Sequence, residues 1–482
     1  AAPVVWIGLE YLRTHLMTGF GWYLLGHSQH EFTSLVQISD LFGAYGVSFV
    51  VMFAAAALTE CIPVSWFPHL RLLPPICVPD AAVVTAPSRH RLLAVVSSIV
   101  LVSASVGYGV IRSQHDPFPT GPRVGLIQGD FRSEVKHDPN AVHDIYRRHV
   151  QLTGMTVDYR PDVIIWPETM FPYLLLQADP SLTREQLLEQ FPQTDPSAWT
   201  DPRTDSGVAL RDKAEQAGAS MIVGVVAQVA SKEGGARYNS AVLVEPQAGI
   251  TGRYDKIHRV PFGEYIPLKD WLPFLASFSP FGSDNGIAAG KDVHSFQVGT
   301  ARFLPLICFE DTVPHLVRRM VNAVAAANAT PEEHAQVDCL VNLTNDGWFR
   351  DSSEQEQHLI TASFRCIETR TPMVRAVNTG ISAVIDGDGV VREPLVFIDY
   401  DRHPATSRDP KVRARQTLRD PKTGRYHKSL NAALVADIPL DPRGSLYLWW
   451  GDWLPAGCLV LSIAGAGWAA FNRSPVETTG IG

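Results

Sequence analysis

The stretch Asp162-Val-Ile-Ile-Trp-Pro-Glu168 decides the fold. Four consecutive apolar residues read as a strand covered on both faces, since a half-exposed strand would alternate. The Trp-Pro pair stops it, because proline has no N–H for the ladder, and the turn delivers a carboxylate at the strand end. The same grammar recurs on either side. Strand-like runs are expected at Val124–Gln128, Val163–Trp166, Met221–Val226, Ala241–Val244, Phe303–Cys308, Cys339–Leu343, Met373–Val377 and Ser382–Ile385. Helical patterns fall between them at Asn140–Asp158 and Gly207–Ala217, with His358–Arg370 further on. Strands alternating with helices over this length predict a layered α/β domain, whose reactive groups collect at strand ends. Gln177–Ser206, Asn322–Gln336 and Tyr400–His427 read as surface insertions.

Two further strand ends deliver reactive groups. One is Tyr254-Asp-Lys256, followed by Val260-Pro-Phe-Gly-Glu264-Tyr. The other is Leu304-Pro-Leu-Ile-Cys308-Phe-Glu310. Each has a bland reading alone: a helix-capping carboxylate, a solvated ammonium, an inert core thiol. Lysine is scarce, with nine against 32 arginines, which makes each one worth placing. Together the three supply what acyl transfer needs. A thiol is a nucleophile only as thiolate, a carboxylate in a partly dry pocket can take its proton, and an ammonium can hold both the thiolate and a later oxyanion.

These motifs, in this order, resemble the nitrilase (carbon–nitrogen hydrolase) superfamily and, within it, the membrane branch of apolipoprotein N-acyltransferases. The matching stretches are Gly19-Phe-Gly-Trp22 with Ser28-Gln29, Val124–Asp130, Ile164–Pro172, Tyr254–Pro267, Ile307–Glu310 and Asn345–Phe349. The resemblance implies an α/β fold, a nitrilase-like αββα sandwich attached to a transmembrane helix bundle. It also implies transfer of the sn-1 acyl chain of a phospholipid, typically phosphatidylethanolamine, to the amino group of a lipoprotein's diacylglyceryl-cysteine. By the same resemblance Glu168 would be the general base, Lys256 the oxyanion-stabilising cation and Cys308 the acylated nucleophile. Glu264 and Glu310 would be supporting carboxylates, and Asn239, Phe309, Trp348 and Phe349 would contact substrate. Phe309 stands where an aromatic hydroxyl is common, and His137 where a tryptophan is. No metal and no cofactor is expected. Two readings stay open beside this one: a membrane-tethered amidase or nitrilase using water, and a non-catalytic binding protein of nitrilase fold.

The composition sets the surroundings. At 482 residues, 46% hydrophobic and 19% charged, the chain sits at the apolar edge of the soluble range, with its apolar residues concentrated at the two ends. A net charge of −8 without a basic stripe argues against a nucleic-acid partner. Six cysteines without close pairing signal neither a zinc site nor a disulfide framework. Leu92–Ile111 is an uncharged run of 20 residues between Arg91 and Arg112, long enough for a hydrocarbon core of ~30 Å. Leu41–Leu58 and Leu454–Phe471 are runs of 18, the second preceded by Trp449, Trp450 and Trp453 as an interfacial belt.

The expected organisation is a membrane region at 1–121, a catalytic domain at 122–443, and a last span with a short tail at 444–482. The first region holds a partial span at 1–9, an interfacial or re-entrant arm at 11–31, and spans at about 35–58 and 92–111. The sequence opens without an initiator methionine, and the resemblance implies about three further spans ahead of it. Arg71, Arg89 and Arg91 against Asp80 in the first loop place that loop in the cytoplasm. The chain would then be a multi-pass protein of the bacterial inner membrane, with its catalytic domain in the periplasm.

Overall fold

A computed structural model of the chain describes residues 1–62, 88–136, 138–199, 205–268, 271–272, 274, 286–327, 336–349, 352–406 and 414–472. It divides into two compact units, Ala1–His115 with Ser445–Gly482, and Asp116–Gly444.

The larger unit is built on two β-sheets. Its strands are β1 (Thr120–Gln128), β2 (Val163–Trp166), β3 (Leu174–Ala178), β4 (Ser220–Ser231), β5 (Gly234–Glu245), β6 (Gly249–Asp255), β7 (Phe296–Val298), β8 (Ala301–Ile307), β9 (Cys339–Thr344), β10 (Met373–Val377), β11 (Ala383–Ile385), β12 (Val391–Arg392), β13 (Val396–Asp399) and β14 (Ala432–Pro439). One sheet runs β13-β14-β1-β2-β4-β5-β6, and the other β12-β11-β10-β9-β8-β7. The sheets face each other, β1 and β2 against β10 and β5 against β8. Helices Val142–Thr156 and Ser206–Ala217 pack on the first sheet, and Glu354–Thr369 packs on β10 of the second, with Pro314–Ala327 against that helix. This is an αββα sandwich, as the apolar runs require: a strand buried on both faces needs a helix on one side and a second sheet on the other. Val163 to Trp166 are all fully buried, Ile164 and Trp166 in a core cluster with Leu152, Leu210, Met221 and Val242.

Several strands differ from the sequence reading. β4 and β5 are 12 residues each and extend well past Met221–Val226 and Ala241–Val244. Their outer halves carry polar residues that hide a strand from a hydrophobicity count, yet they close a hairpin across Lys232-Glu233, Ser231 pairing with Gly234. β3, β6, β7, β12, β13 and β14 fall outside the expected runs, and the first sheet is mixed: β14 and β5 lie antiparallel to β1 and β4. Gln177–Ser206 is not pure insertion. It holds the end of β3 and the helix Arg184–Gln190, whose Leu187 packs with Phe191 and Ala230. Asn322–Gln336 begins as the last turns of Pro314–Ala327, where Val324 is buried.

One detail of the first sheet positions the site. β2 pairs in parallel with the first half of β4, Trp166 opposite Val223, and β3 with the second half, Leu174 opposite Val226. Both strands therefore occupy one lane beside β4. Between them the chain swings out through Pro167-Glu168 and returns, Phe171 N donating to Gly224 O at 3.2 Å. Gly224 lies directly under this excursion. A Cβ there would stand 2.3 Å from Pro167 O and 2.7 Å from Glu168 Cα.

In the smaller unit, among the described residues, three helices are long and apolar enough to cross a membrane: Ala44–Cys61, Arg89–Arg112 and Trp453–Phe471. A fourth, Ala2–His15, packs on the first and last of these. It runs unbroken past Leu9 into the segment expected as an arm. Glu10 is accommodated because its Oε1 accepts from Trp6 Nε1 (3.1 Å) and Leu25 N (2.7 Å). The rest of that arm folds onto the helix Ala44–Cys61, Gly26 N donating to Ser48 Oγ at 2.8 Å. The span expected at about 35–58 is interrupted at Gly43, whose φ of 66° ends one short helix before the long one starts. Buried Asp40 accepts from Arg112 Nε (2.7 Å) and Tyr108 (2.8 Å). Arg71 and Asp80, on which the orientation rests, lie outside the described residues.

Gly224→Ala is expected to destabilise the larger unit by about 1–3 kcal/mol, because backbone atoms on the far side of the new methyl have no rotamer by which to yield. Gly154→Ala, on an open helical face, is expected to stabilise slightly, by about 0.5–1 kcal/mol. Denaturant unfolding of the two variants against the parent checks both signs.

Candidate active site

The strand ends bring Glu168, Lys256 and Cys308 to one locality. Lys256 follows β6 directly and is 1% exposed. Its Nζ lies 2.9 Å from Glu264 Oε1 and 3.6 Å from Glu168 Oε1. Asn239, in β5, donates through Nδ2 to Glu168 Oε1 (2.7 Å) and Glu264 Oε1 (3.3 Å), and its carbonyl receives Lys256 N at 2.8 Å. Glu264 Oε2 accepts from Val260 N (2.9 Å), which pins the carboxylate against its own loop. Burial alone would lower the Lys256 pKa, but the Glu264 and Glu168 carboxylates outweigh it and raise it, so the ammonium stays charged. Burial pushes Glu264 up, and Lys256 with the Val260 N–H more than reverses this, holding it low.

Cys308 follows β8 with a φ of 52°, a left-handed conformation that costs a non-glycine residue on the order of 1 kcal/mol or more. Asn342 Nδ2 bonds its carbonyl at 3.2 Å. Burial drives the thiol pKa well up, the Glu168 charge adds to this, and Lys256 with a hydrogen bond from Thr344 pulls the other way. The resting sulfur is therefore a thiol.

Glu310 has no exposed surface. Its Oε1 accepts from Tyr254 Oη (2.8 Å), Ile257 N (2.8 Å) and His258 N (3.0 Å), while Oε2 accepts from Ile307 N at 2.8 Å. It ties the backbone before the thiol to the backbone after the lysine. Burial raises its pKa against those N–H donors.

The expected substrate contacts divide. Asn239 is committed to the two carboxylates. Phe309 is buried, stacked on His258 with centroids 5.6 Å apart. Because the backbone turns at Cys308, the next side chain points into the core. Trp348 and Phe349 remain exposed, at 62% and 37%. His137 lies outside the described residues.

Two features escaped the sequence reading. Lys136 sends its Nζ to Thr169 Oγ1 and, at 3.4 Å, to Glu168 O. Burial lowers its pKa, and the nearby Glu168 and Cys308 oppose that only in part. The scarcity of lysine was the one available signal. The second feature is a buried ionic cluster behind the thiol. His358 bridges Asp311 Oδ1 and Asp346 Oδ1, each at 2.8 Å, and Arg375 Nη1 lies 2.5 Å from Asp311 Oδ2. Asp346, Glu354 and His358 place ligand-capable atoms within 4.8 Å of one another. Both ring nitrogens of His358 face carboxylates, so the ring is a cation and the set does not fit a metal ion.

Residues 123–393 match the carbon–nitrogen hydrolase family, more than half of the chain, and the chain belongs to that family. More narrowly, residues 1–57 match the N-terminal domain of apolipoprotein N-acyltransferases. The apolipoprotein N-acyltransferase of Geobacter metallireducens is 31% identical over 81% of this chain and 64% of its own length. That of Allorhizobium ampelinum is 30% identical over 79% and 62%, and that of Rhodopirellula baltica 26% over 98% and 77%. The chain thus spans less than two thirds of the first two relatives. Together with its three apolar helices, this similarity makes it a membrane protein.

The cluster behind the thiol gives a pH dependence. Glu354, whose two carboxylate oxygens are buried without hydrogen-bond partners among the described residues, is raised by burial, then by Asp346, from 4.5 to about 8. His358 would be lowered by burial, but Asp311 and Asp346 raise it from 6.5 to about 10. In both windows the folded state holds more protons than the unfolded one, so stability falls as pH rises, first between 4.5 and 8 and then between 6.5 and 10. Glu354→Gln is expected to flatten the first decline and leave the second, read as thermal midpoint against pH.

Proposed function

We propose that the chain transfers an acyl group from a membrane phospholipid to the amino terminus of a diacylglyceryl-modified lipoprotein, through a thioester on Cys308. The observation that carries this reading is the cluster of Glu168, Lys256, Glu264 and Asn239 around one thiol at adjoining strand ends. Its relatives' names and the apolar helices turn that chemistry toward lipid substrates. Phosphatidylethanolamine is the proposed donor, and the proposed setting is the bacterial inner membrane, with residues 122–443 as a periplasmic catalytic domain.

The steps follow from the charges. Lys256 binds Glu264 more closely than Glu168, and among the described residues none bonds Glu168 Oε2. That oxygen is available for a proton. Cys308 attacks the ester carbonyl as Glu168 removes its proton. Lys256 and the backbone N–H after the cysteine stabilise the oxyanion. Collapse releases the lysophospholipid, whose oxygen takes the proton from Glu168, and leaves the thioester. The acceptor amine then attacks, Glu168 accepts its proton, and the sulfur departs and is reprotonated. Forming the thiolate only as the carbonyl is attacked suits a thiol with a raised pKa, since no resting thiolate is exposed to oxidants or water.

Incubation with acyl-labelled phosphatidylethanolamine is expected to label Cys308, and a diacylated lipopeptide to discharge it with gain of one acyl chain. Cys308→Ala is expected to abolish both. Transfer that survives this substitution, or ammonia release from simple amides without acylation of the lipopeptide, would refute the proposal.

A further inference from the structure

Between β2 and β3 the chain reverses through Pro167-Glu168-Thr169-Met170, Met170 N donating to Pro167 O at 3.3 Å. Thr169 holds a φ of 50° in this turn. A β-branched side chain is crowded in the left-handed region, at a cost on the order of 1–2 kcal/mol, so the turn relaxes unless something holds it. The sheet supplies little hold. Proline has no N–H, Gly224 beneath the turn has no side chain, and ladder bonding resumes only where Phe171 N meets Gly224 O. Among the described residues, the Glu168 carbonyl and the Thr169 hydroxyl share a single partner, the Lys136 ammonium. It bonds Thr169 Oγ1 and reaches Glu168 O at 3.4 Å.

Lys136 is itself anchored from the other sheet. It ends the short helix Ser133–Lys136, its N–H donating to Arg132 O at 2.9 Å. Just ahead of that helix, Phe131 N donates to Asn378 Oδ1 (3.0 Å) and Asn378 Nδ2 to Phe131 O (2.6 Å), while Asp130 N donates to Asn378 O (3.0 Å). Asn378 directly follows β10 of the second sheet.

We propose that Lys136 is a positioning residue for the general base: bound to Thr169 Oγ1, it holds the left-handed turn that presents the Glu168 carboxylate to Asn239 and Lys256. Neither of its two partners is a carboxylate oxygen of Glu168, so it acts through the backbone that carries the base. Proton transfer requires the base within hydrogen-bond reach of the group it deprotonates, and a carboxylate on a relaxed turn loses that reach with its own chemistry intact.

The inference rests on Glu168 taking the Cys308 proton, and one measurement separates the two. Alkylation of Cys308 by iodoacetamide at neutral pH, followed by mass spectrometry on the full chain in detergent, needs that proton removed but needs no acyl donor. Glu168→Gln is expected to slow it, and Lys136→Met to slow it roughly tenfold, the scale on which small misplacements of a reacting group act. Lys136→Arg, which keeps a cationic donor, is expected to recover most of that loss. Thr169→Val keeps the ammonium but removes its acceptor. It is expected to match Lys136→Met, and the double variant to be no slower than either; Thr169→Ala serves if Thr169→Val does not fold. In a Glu168→Gln background Lys136→Met is expected to cost nothing further, whereas general damage, or a direct effect of the ammonium on the sulfur, would add. Parent-like alkylation in Lys136→Met overturns the inference, as does further slowing in the Glu168→Gln background. Parent-like alkylation in Glu168→Gln refutes the reading of Glu168 as base instead.

Discussion

A buried ammonium needs anions around it, and most of the site follows from that need. Lys256 could not remain charged at 1% exposure without Glu264 and Glu168, because desolvating a cation costs several kcal/mol unless it is paired and hydrogen-bonded. Lys256 binds Glu264 more closely than Glu168, so Glu168 is left the less engaged of the two carboxylates. Burial, with the Glu168 charge adding to it, keeps the sulfur protonated.

The scaffold meets this need by dividing the labour between the two sheets. The first sheet presents the carboxylates, Asn239 and the lysine. The second presents the thiol and, behind it, the balanced cluster of Asp311, Asp346, His358 and Arg375. Only small or strained backbone fits at the joints: Gly224 beneath the Glu168 excursion and the left-handed Cys308 at the end of β8. Local cost at these points is covered by the burial on both sides of the strands that lead to them.

Much of this was legible in the sequence, for a physical reason. Glu168, Lys256 and Cys308 each sit where an apolar run stops, and a run that stops on a reactive group is a pattern a one-dimensional reading can see. Asn239 is different. It lies inside β5, where its polarity hides the first half of the strand, and only the resemblance singles it out. Lys136 stands outside any strand, on a helix of four residues. The link from Asp346 through His358 to Asp311 joins residues spread from 311 to 358, and only the docking of one helix brings them together. Local pattern carries the ends of strands; it carries nothing about which ends become neighbours.

Glu310 has a mechanical consequence. By accepting the N–H groups of Ile257 and His258 on one oxygen and of Ile307 on the other, it fastens the lysine's loop and the cysteine's strand to a single rigid carboxylate. The positions of cation and sulfur are thereby referred to one buried side chain that both sheets share.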